Sequence, residues 1–108
     1  MNRHAIDDIQ RAHKGHWFDA SSMRFFKSRV SSDAYRTADG AYSFFVSSER
    51  FDYSPQYPRM FSVRRYTWAT DNLETIGQFQ AYAYRDTAQR AARYYAAKGV
   101  PAESLVNA

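Results

Sequence analysis

At 108 residues the chain is one small domain's length, and its 44% hydrophobic and 24% charged residues are the balance of a folded globular protein. It has no cysteine, which excludes disulfides, thiolate nucleophiles and cysteine-held zinc or iron–sulfur centres. A net charge of +4 is modest for a dedicated DNA binder and of the wrong sign for a DNA mimic.

The opening residues contain no apolar run, and no stretch approaches the roughly 18 apolar residues of a membrane span. The sequence therefore predicts neither a signal peptide nor membrane association. Aromatic residues reach 18%, and twelve arginines stand against three lysines. Leu and Ile are scarce, so much of the aromatic content fills the core. The remainder suits an interface, because Tyr, Trp and Arg anchor protein contacts and also stack on bases and grip phosphates. Positive charge sits at the two ends, +3 over residues 1–32 and +2 over 85–108, around a middle of −1.

In chain order, Ile6, Ile9 and His13 recur at helical spacing within Arg3 to Lys14, with Asp7 and Asp8 early and Arg11 late, and Gly15 as the stop. A second helix is predicted from an Asp19 cap, with Met23, Phe26 and Val30 inward and Arg24, Lys27 and Ser28 outward. The middle reads as sheet. Tyr35 to Thr37 is a short strand, Ala38-Asp39-Gly40 a turn, and Tyr42 to Ser48 a strand with one apolar and one mixed face. A loop with Pro55 and Pro58 follows. The strand Met60 to Ala69 switches apolar parity between Phe61 and Val63 and the pair Tyr66 and Trp68, which predicts a bulge at Arg64-Arg65 that turns both guanidinium groups outward, or else one arginine buried and paired with Glu49 or Glu74. After a turn at Thr70-Asp71-Asn72, Glu74 to Tyr84 returns with Gly77 inside it. Asp86 is predicted to cap a last helix carrying Ala88, Ala91, Ala92, Tyr95 and Ala96, closed by Gly99 and Pro101. The expected architecture is a single α+β domain: a small antiparallel sheet of about four strands with two N-terminal helices and one C-terminal helix.

Little here carries catalytic chemistry. His13 and His16 are three apart, but the helix stop at Gly15 lies between them and spoils a shared metal-binding face. No strand–turn–helix nucleophile elbow and no phosphate-cradling glycine loop occurs. No enzyme activity, cofactor or metal is expected.

The segments Trp17-Phe18, Met23 to Val30, Phe45-Val46-Ser47-Ser48-Glu49, Ser62 to Tyr66 and Gly77 to Tyr82 resemble short proteins of unknown function from bacteriophages and other mobile elements. The resemblance implies a small accessory protein in the cytoplasm of a bacterial host. Such proteins often bind and block a host protein or ribonucleoprotein, anti-CRISPR proteins being one class. The expected function is that of a non-enzymatic, anti-defence inhibitor. Its partner-binding residues are expected to be Arg24, Lys27, Arg29, Arg64, Arg65, Tyr66 and Trp68, offering guanidinium forks and an aromatic ledge. The competing expectation is direct single-stranded nucleic-acid binding through Arg24, Lys27, Arg29, Arg64 and Arg65.

Overall fold

A computed structural model describes residues 1–14, 30–49 and 56–101. Its elements are β1 (Asn2–Ala5), α1 (Ile6–Ala12), β2 (Asp33–Arg36), β3 (Tyr42–Glu49), β4 (Met60–Thr67), β5 (Asn72–Ile76) and α2 (Arg85–Lys98). The five strands form one antiparallel sheet in the order β1-β2-β3-β4-β5.

This corrects the expected α+β layout of about four strands and three helices. The described residues hold five strands and two helices, and the fold is mostly β. The first helix was expected from Arg3, yet Asn2 to Ala5 pair in register with Arg36 to Asp33. Four polar or small residues carry no strand signature of their own, and the ladder to β2 decides their conformation. The helix starts only at Ile6, whose N–H donates to Ser32 O at 2.8 Å, and it ends at His13 rather than Gly15. The second predicted helix lies outside the described residues except for Val30, which is buried and bridges to Ser47.

Both faces of the sheet are covered. On one, Tyr35, Phe44, Val46, Val63 and Ile76 pack against Ala88, Ala92 and Ala96 of α2, whose small side chains let the helix lie close. On the other, Phe45, Ala34 and Tyr66 pack with Ile6, Ile9 and Val30. Strand β3 is therefore buried along both edges of its pleat from Ser43 to Ser48.

This double cover also explains the parity switch in β4. The pairing runs without interruption from Met60↔Glu49 to Thr67↔Tyr42, and from Val63↔Ile76 to Thr67↔Asn72 on the other side. No bulge interrupts Arg64-Arg65, and that expectation is overturned. Phe61 and Val63 belong to the α2 layer, Tyr66 and Trp68 to the α1 layer, so each half of the strand is apolar toward a different cover.

The remaining turns follow their chemistry. Gly40 adopts φ +77° in the β2–β3 hairpin, where its N–H donates to Thr37 O at 2.9 Å. Strand β5 stops at Ile76 and does not continue to Tyr84, because Gly77 takes φ +74°. Tyr82 then makes an isolated bridge back to Phe61. Helix α2 begins at Arg85 with Tyr84 at its N-cap, so Asp86 sits in the first turn instead of capping it.

Candidate functional site

Arg24, Lys27 and Arg29 lie outside the described residues. The four β4 residues expected beside them do not form one ledge. Alternation sends Arg65 toward α2, where its Nε and Nη2 donate to Glu74 Oε1 at 2.8 and 2.5 Å and its guanidinium lies 4.5 Å over the Tyr42 ring. Arg64 points to the opposite face; burial lowers its pKa and the negative charge of Glu49 partly restores it. Tyr66 is 1% exposed and belongs to the core. Trp68 lines a cleft on the α1 side.

That cleft has a volume of about 360 Å³ and is lined by Asn2, His4, Asp8, Arg11, Arg36 and Trp68. Strand β1 and helix α1 supply one wall, and the ends of β2 and β4 supply the other. Beneath it, Trp68 Nε1 donates to Ser43 Oγ at 2.8 Å, and His4 Nε2 lies 2.9 Å from the same oxygen. The indole can only donate, so Ser43 Oγ accepts from it; because His4 Nδ1 meets only acceptors, Nε2 of the neutral ring is the nitrogen that takes the Ser43 proton. The imidazole then carries its proton on Nδ1, which faces Ala5 O at 3.1 Å and Asp8 Oδ2 at 3.3 Å. Asp8 is also bound by Arg11.

Arg36 is the group this framework presents. Its Nε donates to Gly40 O at 2.9 Å, and its guanidinium stacks 4.2 Å from the Trp68 ring centroid. Stacking leaves the outer guanidinium N–H groups directed along its edge, and Arg36 has no carboxylate partner among the described residues. The other side of Trp68 is braced by Tyr66 edge-on at 5.0 Å and by His4 at 5.9 Å. A rigid, uncompensated cation on an aromatic platform at a cleft wall is suited to receive an oxyanion.

Asp8, His4 and Ser43 are connected in the order of an acyl-transfer triad, a juxtaposition invisible in the sequence. Ser43 is 0% exposed, however, and its oxygen is already occupied by the indole N–H. A nucleophile must reach its substrate, and this hydroxyl does not; the three residues position Trp68.

A second polar cluster joins the end of α1 to the β4–β5 turn. The Tyr66 hydroxyl donates to Asp71 Oδ1 at 2.7 Å, His13 Nδ1 lies 2.8 Å from the same oxygen, and the Lys14 N–H donates to Oδ2 at 3.0 Å. Burial pushes the Tyr66 hydroxyl up to about 12, aided by its bond to Asp71. Burial alone would raise the Asp71 carboxyl, but the bonds from Tyr66, Lys14 N–H and His13 outweigh it and hold the group at about 2. Every oxygen in this cluster is engaged within the domain, so its role is to fasten α1 to the sheet. Among the described residues no three His, Cys, Asp or Glu side chains gather as a metal site. No described helix is long and apolar enough to cross a membrane.

Arg36 falls in the expected strand Tyr35 to Thr37, where nothing local marked it as a site residue; for His4 and Ser43 there was no signal either, since they meet only through the β1–β2–β3 pairing. No curated protein and no solved structure matches the chain. A family model does match it, from His4 in β1 to Arg93 in α2, and by that match the chain belongs to a family of unknown function, DUF7447.

Proposed function

We propose that this protein is a non-enzymatic binding domain, a bacteriophage or mobile-element accessory protein acting in the bacterial cytoplasm to block a host protein or ribonucleoprotein. The observation that carries the binding role is the Arg36–Trp68 stack at the cleft. An aspartate or glutamate of the partner enters the cleft and accepts hydrogen bonds from the outer N–H groups of Arg36. Because Gly40 O and the indole already hold the guanidinium, little side-chain freedom is lost on docking. The inaccessibility of Ser43 supports a binding role over a hydrolytic one.

The test is affinity capture from a bacterial lysate with the wild-type protein and with Arg36→Gln, read by quantitative mass spectrometry. A host protein or complex enriched by the wild type and lost from the variant supports the reading. Equal enrichment by both, or none above a bait-free control, overturns it.

A further inference from the structure

A second surface lies on the far side of the sheet and goes beyond the cleft reading. Helix α2 buries Ala88, Ala92 and Ala96, so its opposite side faces solvent. That side carries Arg90, Arg93, Tyr94 and Lys98, all exposed. Arg90, Tyr94 and Lys98 are spaced i, i+4 and i+8, one row along the helix, with a cation about 6 Å to either side of the ring at ~1.5 Å per residue. Arg93 lies beside the row. None of the three cations has a carboxylate partner among the described residues, and the one acid of α2, Asp86, sits a turn before Arg90. Tyr94 is 58% exposed, yet its ring is braced edge-on by Tyr95 at 6.2 Å, which in turn packs 6.2 Å from Phe44 of the core. A second tyrosine, Tyr84, is 73% exposed at the N-cap of the same helix.

We propose that this row binds a single-stranded nucleic acid, the cations contacting phosphates and Tyr94 stacking on an unpaired base. Charge complementarity selects a polyanion, because the strip holds three positive groups with no carboxylate partner among the described residues. The aromatic selects a single strand, because a base in a duplex has no free face for a ring flanked by cations. The row lies on the opposite side of the sheet from Arg36, so the two surfaces are separable by mutation.

Fluorescence anisotropy of a labelled single-stranded oligonucleotide with the full-length protein tests this. Three phosphate contacts give a log–log salt slope of about −2, so affinity falls roughly twentyfold between 50 and 200 mM salt. Arg90→Gln or Arg93→Gln makes the slope shallower by about 0.7 each. Tyr94→Ala weakens binding about fivefold with the slope unchanged. Arg36→Gln leaves all of this untouched, and circular dichroism confirms that the exposed-site variants fold. Absence of binding at the lowest salt overturns the proposal. So does undiminished binding by an Arg90→Gln, Arg93→Gln, Lys98→Gln triple variant, or duplex binding as tight as single-strand binding.

Discussion

Asp71 combines a left-handed backbone, φ +58°, with a carboxylate that receives three hydrogen bonds, and substitutions can separate the two contributions. Asparagine tolerates this conformation and can still accept from Tyr66, but its amide cannot also accept from the Lys14 N–H; Asp71→Asn is expected to cost about 1 kcal/mol. Glycine suits the backbone equally well but leaves the buried Tyr66 hydroxyl with no acceptor, a loss of about 2 kcal/mol. Alanine loses the same bonds and adds the left-handed penalty of about 1 kcal/mol, for about 3 kcal/mol in all. Urea unfolding at neutral pH measures the series, with unchanged m-values showing that stability alone has moved. Thermal midpoints should fall in the same order, by roughly 4–8 °C per kcal/mol in a domain of this size. An Asp71→Gly protein as stable as wild type would refute the role of the carboxylate as acceptor. An Asp71→Ala protein more stable than Asp71→Gly would refute the backbone argument.

The same groups make stability depend on pH in two windows. Asp71 titrates at about 2 in the fold against its ordinary 3.8, so its contribution is complete above pH ~4 and lost as pH falls toward 2. An acid titration of Asp71→Asn should lack that loss. Tyr66 is raised from 10.0 to about 12, so its contribution is complete below pH ~10 and lost as pH rises through 12; Tyr66→Phe should show a smaller alkaline loss than wild type. Phe45 is 0% exposed beneath α1, and Phe45→Ala should cost about 3–5 kcal/mol in urea unfolding, with a value under 1 kcal/mol contradicting the cover on that face. Arg65→Ala strands Glu74 and exposes the Tyr42 ring; about 2 kcal/mol is expected, and a neutral result in thermal unfolding would mean the pair adds nothing to stability.

Much of the central sheet was legible in advance. Tyr42 to Ser48 and Met60 onward carry their alternation in Val, Phe and Tyr, Gly40 marks its turn, and the alanine spacing of α2 names its buried side. What escaped was what depends on distant pairing. Asn2 to Ala5 have no apolar period because an edge strand of polar residues takes its conformation from one neighbour. The Arg64-Arg65 parity switch suggested a bulge because alternation was read against a single buried face. With two covers, an unbroken strand gives the same pattern. The site follows the same division. Trp68 was among the expected residues, and Arg36 lay in the expected strand Tyr35 to Thr37 without being singled out. His4 and Ser43 are 39 positions apart and nothing local joins them. The bulge that would turn Arg65 outward is absent, and the alternative holds for it: its cross-strand Glu74 pairs with it and makes it part of the framework.

The order of strands in the sheet repeats their order in the chain, and this shapes the sequence of events during synthesis. As each strand from β3 onward leaves the ribosome, the neighbour it pairs with has already been made, so no gap in the ladder waits for a later segment. Helix α2 is different. It is the last described element to be made, and it folds back across β2, β3 and β4. Until it arrives, Tyr35, Phe44, Val46, Val63 and Ile76 form an apolar surface that lacks its helical cover. A nascent chain halted near Tyr84 would thus have its backbone hydrogen bonds in place and half its core open to water, the form most prone to aggregate or to recruit a chaperone. The final helix acts as a latch, and the interval before it closes is the vulnerable moment in the life of this protein.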